Sequence, residues 1–249
     1  MTDQISQPAI RIDHVSKAFN GHAVLEDVSF SVPAGEAFGI LGRSGTGKSV
    51  TLKLIIGLLC PDQGRIFIGD DEIQQLDREN LLRVRKTVGF MFQDAALFDS
   101  VSVRENIAFP LRRHTEKSEE EIDAVVKEKL SEVGLDEDAD KMPADLSGGM
   151  RKRVGLARAM ALDPPVLLVD EPNSGLDPLT ASEIYKLLAD LKQKQHRTLV
   201  VVTHDAAGVR RFASRLGVLD RGRMIACGSP DEIAHSDNDL VRALVAQEV

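Results

Sequence analysis

The sequence predicts an α/β fold, and three observations predict it. An apolar segment, Ala37 to Leu41, runs into the glycine-rich loop Gly42-Arg43-Ser44-Gly45-Thr46-Gly47-Lys48-Ser49, and a helical pattern follows from Lys48. From Val166 onward, apolar strand patterns alternate with helical ones, the order of a parallel sheet with covering helices. Between these parts, from Gln93 to about Pro143, apolar residues recur at helical spacing instead.

Each element has a local reason. Ile10 and Ile12 alternate with charged residues, and Val28, Phe30 and Val32 alternate with serines and a proline; both segments read as half-buried strands near an edge. Ala37 to Leu41 reads as a buried strand, and Lys48 to Leu59 as a helix stopped before Pro61. Arg65 to Ile68 and Val88 to Phe92 read as further strands. Ser118-Glu119-Glu120-Glu121 has the form of a capping box, and Ile122, Val125, Val126, Leu130 and Val133 follow on one helical face. A strand to Val169, a helix from Pro178 to Lys194 and a strand from Thr198 to Thr203 come next, with one or two helices from Pro230 to Gln247. No internal repeat, low-complexity stretch or long linker interrupts the pattern.

Composition narrows the function. The 249 residues are 43% hydrophobic, with no Trp, one Tyr and nine Phe, so aliphatic side chains dominate the core. A net charge of -8 argues against nucleic acid as a partner, because an extended phosphate backbone wants a basic surface. Cys60 and Cys227 lie far apart without metal-ligand spacing and read as reduced thiols. Met1 to Ser6 shows no basic region followed by an apolar core, so no export signal is expected. The densest apolar run, Leu52 to Cys60, contains Lys53 and is too short to span a bilayer. A soluble, cytoplasmic protein is expected, with any membrane channel on another chain.

Three motifs carry chemistry. Gly42 to Ser49 has the form G-x-x-x-x-G-K-S. Its glycines let backbone N–H groups close on phosphate oxygens, Lys48 adds a charge for the β- and γ-phosphates, and Ser49 offers a hydroxyl to magnesium. The apolar run Val166-Leu167-Leu168-Val169 ends in Asp170 and Glu171. Asp170 should emerge at the carboxyl edge of the sheet, beside the loop, and hold magnesium through water; Glu171 should polarise the attacking water. Ser147-Gly148-Gly149 opens a helix running from Arg151 to Met160, with Ser147 as its cap. It is a plain helix start or a second place for phosphate, and a second phosphate device suggests a nucleotide clamped between two copies. A lone His204 follows the strand that ends at Thr203.

In this order the motifs resemble the ATP-hydrolysing subunit of an ABC transporter, over nearly the whole chain. The resemblance implies a RecA-like P-loop ATPase core with an antiparallel β subdomain and a helical insertion, all in one ABC ATPase domain, 1–249. Core and β subdomain would take 1–92 and 144–235, the helical insertion 93–143, and a helical tail 236–249. It implies ATP and Mg2+ as cofactors. Gly42, Ser44, Gly45, Thr46, Gly47, Lys48 and Ser49 would bind phosphate, with Lys48 also catalytic. Ser49, Asp170 and Gln93 would serve magnesium, Glu171 would be catalytic, and His204 would contact the γ-phosphate. Ser147, Gly148 and Gly149 would complete the ATP site of a partner subunit, giving a head-to-tail homodimer. Asp177, in Ser174-Gly175-Leu176-Asp177, would touch the opposite site. Met150 departs from the usual Gln of that signature. Phe19 matches the position of an adenine-stacking aromatic, a core phenylalanine being the alternative.

The resemblance extends to partners. It implies a peripheral motor on the cytoplasmic face of the inner membrane, joined to integral membrane permease subunits. Val50, Met150, Ala96-Leu97-Phe98-Asp99-Ser100 and Glu105-Asn106-Ile107-Ala108-Phe109-Pro110-Leu111 look like the ATPases of MCE-type phospholipid transport systems, which would add an MCE-type lipid-binding protein. Simple packing of Val50, Leu97, Phe98 and Phe109 against the core is the alternative. Amino-acid uptake is the second cargo, and a non-transport ABC ATPase the third reading.

Overall fold

The computed structural model describes residues 8–245. Met1 to Ser6 and Gln247 lie outside them. Two sheets organise the chain. The first is antiparallel, in the order β2-β1-β4-β5, from β1 (Pro8–Phe19), β2 (His22–Pro33), β4 (Gln63–Ile68) and β5 (Asp71–Glu72). The second has the order β10-β9-β3-β8-β7-β6, from β3 (Ala37–Leu41), β6 (Val88–Met91), β7 (Val166–Asp170), β8 (Thr198–Thr203), β9 (Arg215–Asp220) and β10 (Arg223–Gly228). It is parallel from β9 through β6, and β10 returns antiparallel on β9.

The parallel sheet is buried on both faces, as continuous apolar strands require. Leu167, Val169, Leu199 and Val201 face one core; Val166, Leu168, Val200 and Val202 face the other. The second core also takes Ile10, Ile12, Val28 and Val32 from the antiparallel sheet. Phe30 stacks on Phe38 there, with ring centroids 4.8 Å apart.

The helices are α1 (Lys48–Ile55), α2 (Arg78–Lys86), α3 (Val103–His114), α4 (Glu119–Glu132), α5 (Gly148–Met160), α6 (Pro178–Gln195), α7 (Ala206–Arg210), α8 (Pro230–Ala234) and α9 (Asp239–Val245). The structure corrects α1, which the pattern carried on to Leu59. Gly57 takes φ 67°. Its N–H bonds the Leu54 carbonyl at 3.0 Å, and the Leu58 N–H bonds that of Lys53 at 2.9 Å. These paired bonds with a left-handed glycine end the helix four residues early. The short helix α2 was not anticipated at all; Asp77 caps it by accepting from the Asn80 N–H.

Between β6 and α5 the chain is helical. Ser118 caps α4 in a complete capping box with Glu121. Exposed Glu119 pairs Arg112 at 2.7 Å, and Arg112 also pairs Glu105. Buried Asn106 fastens the segment before α3: its Oδ1 accepts from the Phe98 N–H at 2.8 Å, and its Nδ2 donates to the carbonyls of Phe98, Val101 and Ser102. No helix among the described residues is long and apolar enough to cross a membrane.

Candidate functional site

The site forms where β3, β7 and β8 end side by side. The loop after β3 turns into α1 through Gly47, at φ 102°. A Cβ there would lie 2.6 Å from Leu25 Cδ2 and 2.9 Å from the Val24 carbonyl, so only glycine fits. The first turn of α1 then leaves its N–H groups without intrahelical partners, aimed into the loop with the positive end of the helix dipole.

Loop and strand ends enclose a cavity of about 520 Å³, within the roughly 300–1,000 Å³ range of small-molecule sites. Arg43, Ser44, Gly45, Gly47, Lys48 and Ser49 line it from the loop. Gln93, Glu171, Ser174 and His204 line it from the sheet edge, with Val24 and Val50 as apolar neighbours. Residues far apart in the chain are thus gathered at one place. Gly42 and Thr46 support the loop without lining the cavity. Gly42 passes so close to the Leu219 carbonyl that a Cβ would stand 2.4 Å from it, and Thr46 Oγ1 donates to the Arg43 carbonyl at 2.9 Å.

Charge is concentrated and paired. Lys48 Nζ donates to the carbonyls of Gly42 (2.8 Å) and Arg43 (3.0 Å) and lies 3.0 Å from Glu171 Oε1. The other carboxylate oxygen of Glu171 lies 2.8 Å from His204 Nδ1. Lys48 and Glu171 are buried, whereas the His204 side chain is mostly exposed. Glu171 takes a left-handed φ of 43°, a strained backbone for a non-glycine residue. Ser49 Oγ donates to Asp170 Oδ1 at 2.8 Å. Burial pushes the Asp170 carboxyl above its usual range; the Ser49 hydrogen bond opposes this and the charge of Glu171 adds to it.

A hydroxyl and a carboxylate in contact, with Gln93 across the cavity, are hard oxygen donors of the kind magnesium takes. No group of three or more His, Cys, Asp or Glu among the described residues could hold a metal by itself.

The remaining candidates lie elsewhere. Ser147 caps α5, accepting from the Met150 N–H at 3.2 Å; it and Gly148 are exposed, and Gly149 is buried. Asp177 caps α6, accepting from the Leu179 and Thr180 N–H groups. Neither Ser147 to Gly149 nor Asp177 lines the cavity of its own chain, although Ser174, from the same motif as Asp177, does. Phe19 does not line it either. At 40% exposed it is not a core residue, and Lys17 Nζ stands 5.4 Å from its ring centroid. Sequence reasoning missed Val24, Ser174's place in the lining, and the Lys48–Glu171–His204 contacts; no spacing rule signals them.

Comparison with known proteins gives consistent matches. A family model described as ABC transporter matches residues 25–174. The probable ribonucleotide transport ATP-binding protein mkl of Mycobacterium leprae (strain TN) is 44% identical over 234 residues, 94% of this chain and 67% of that protein. In the Mycobacterium bovis protein of the same name the match covers 65% of the relative's length. The methionine import ATP-binding protein MetN of Caulobacter vibrioides is 41% identical over 241 residues, 96% of this chain and 72% of that protein. The dimeric ATP-binding cassette MJ0796, in a post-hydrolysis state bound to ADP and Pi, superposes with a TM-score of 0.82 at 33% identity, covering 88% of this chain and 98% of that one. The cbiO1 protein of Clostridium perfringens, part of the ABC transporter complex cbiONQ, gives 0.84 at 30% identity, covering 97% and 96%.

Proposed function

Because the chain belongs to the ABC transporter family of ATP-hydrolysing cassettes, we propose that it is the motor subunit of a membrane transporter moving phospholipid or a related lipid. One observation carries the catalytic part: Glu171 touches Lys48 through one carboxylate oxygen and His204 through the other, on the wall of the cavity that the phosphate loop encloses.

The chemistry follows from these contacts. Backbone N–H groups of Ser44 to Ser49 wrap the phosphates, with the α1 dipole behind them. Lys48, held by Gly42 and Arg43, turns its charge from Glu171 to the arriving γ-phosphate. Glu171 is then free to accept a hydrogen bond from the attacking water, and His204 fixes its other oxygen. Ser49 and Asp170, with Gln93 near, would hold magnesium, whose charge offsets that on the phosphate oxygens. The exposed Ser147 and Gly148 complete the site of a second copy, head to tail, with Asp177 beside it; the dimeric state of the MJ0796 cassette supports this reading. Phe19 stacks on the adenine from its exposed position.

The surface beyond α3 supports a permease partner. Phe98 and Phe109 are 43% and 53% exposed, their rings 4.9 Å apart, beside Arg112 and Arg113. Leu97 packs inward and Val50 borders the second core, so the packing alternative accounts for those two and leaves the two phenylalanines. A cytoplasmic helix of a permease at the inner membrane seats there. The lipid reading rests on Val50, Met150 and the Ala96–Ser100 and Glu105–Leu111 segments, and brings in an MCE-type lipid-binding protein. The 41% identity to a methionine importer favours amino-acid uptake as the second reading.

Glu171→Gln tests the catalytic assignment. The amide keeps the shape but is a far poorer acceptor for a proton, so turnover should drop about 10²–10⁴-fold with ATP still bound. Near-parental hydrolysis would refute the role. Cargo is tested on the permease complex: lipid-dependent hydrolysis supports the reading, and stimulation by a periplasmic amino-acid-binding protein replaces it with the second.

A further inference from the structure

Helix α5 carries a charge that the mechanism above does not use. Lys152 is only 6% exposed. A buried ammonium is costly unless each proton finds an acceptor, and Lys152 places all three. Nζ donates to the Gln93 carbonyl, to the Glu171 carbonyl at 3.2 Å and to Ser174 Oγ at 2.8 Å. None of these acceptors is a carboxylate. Burial pushes the lysine's pKa down, while Asp94, Asp170 and Glu171 oppose this through space. A lysine spent on neutral acceptors fixes geometry rather than neutralising a partner.

The three anchors share a purpose. Gln93, Glu171 and Ser174 all line the ATP cavity. The Glu171 backbone is in a strained region at φ 43°, and the direction of its carbonyl is what Lys152 holds. Five residues earlier, Ser147 opens the same helix at an exposed end. At about 1.5 Å per residue, a rigid span of roughly 7.5 Å separates the two.

We propose that Lys152 is a positioning residue through which the two ATP sites of a dimer sense each other. Ser147 and Gly148 meet the nucleotide of the opposite copy while Lys152 grips Gln93 and Glu171 of its own. Movement of α5 on one side therefore reaches the water-polarising carboxylate on the other. The displacement need not be large, since about 1 Å of misplacement can cost roughly 10²-fold in rate. The proposal rests on the head-to-tail reading above.

Mixed dimers test it. One tagged copy carries Lys48→Ala and the other Ser147→Arg, which leaves one intact site, with its loop from the second copy and its signature turn from the first. Lys152→Met is then placed on either copy. Hydrolysis at the intact site should fall about 10²-fold in kcat in both placements, with KM for ATP and the thermal unfolding midpoint at parental values. Lys152→Gln, which keeps two donors, should restore part of the rate in both and guards against a misfolded methionine variant. Loss only on the copy that supplies Glu171 would reduce Lys152 to a local prop and overturn the coupling. No loss in either placement, or a change in KM alone, would overturn it as well. A parental mixture that neither hydrolyses ATP nor forms an ATP-dependent dimer would refute the head-to-tail reading first, and the coupling with it.

Discussion

Asp170 is caught between two demands. It would have to be ionised to hold the magnesium proposed for it, yet burial raises its pKa, against the pull of Ser49 and nearby lysines and with the push of Glu171. A carboxyl whose folded value lies above its unfolded value destabilises the fold when charged. That cost is absent below the unfolded pKa and complete above the raised folded one. Asp170→Asn should therefore melt higher than the parent at pH 7 without nucleotide, a gap that closes in acid, while losing magnesium-supported hydrolysis. Calorimetry across pH decides this: an Asn variant that melts lower at pH 7 would mean the charge is worth more to the fold than its burial costs. For the same reason, magnesium-dependent activity of the parent should begin to fade on acidification above the ordinary aspartate range.

Helix α4 is a device of a different size. Ser118 Oγ accepts from the Glu121 N–H at 3.3 Å, and Glu121 Oε2 accepts from the Ser118 N–H at 2.7 Å. The helix buries Ile122, Val126 and Leu130 against the core that holds Leu167 and Val169. Ser118→Ala should cost about 1 kcal/mol of stability, the usual value of such a cap. Denaturant titration measures that loss, and ATP affinity should not move, because the cap stands away from the cavity. A matching loss of ATP affinity would show that α4 and the phosphate loop are energetically linked.

At the scale of the molecule, the sheet order does the gathering. Placing β3 between β8 and β9, and β7 beside β8, brings Lys48, Asp170, Glu171 and His204 to one edge. The exposed Phe98–Phe109 pair lies elsewhere, in the segment that Asn106 ties down. Phe98→Asp should leave ATP binding and basal hydrolysis of the isolated chain at parental levels and abolish stimulation by the permease. It removes an aromatic contact and sets a carboxylate against any apolar partner helix. A permease complex still fully stimulated after this change would move the docking surface off α3.

Much of this protein was legible in its residues alone. The G-x-x-x-x-G-K-S loop, the apolar run into Asp170-Glu171 and the Ser118 capping box each carry their cause in local spacing: a glycine that must be left-handed, a buried strand, a reciprocal cap. The strands Ala37–Leu41 and Thr198–Thr203 match their predicted bounds for that reason. Where the cause was local but inconspicuous, as with Gly57 ending α1, it was passed over. What no spacing carried was contact between distant segments. Lys48 beside Glu171, Val24 in the cavity wall, Asn106 fastening the loop at Phe98, and Lys152 joining Gln93, Glu171 and Ser174 all depend on which strands lie next to which. Sequence determined the chemistry present, because residue type and short-range geometry suffice for it. Tertiary structure alone decided which groups share protons and charge, because that requires strand order, and strand order is settled by packing two faces of one sheet at once.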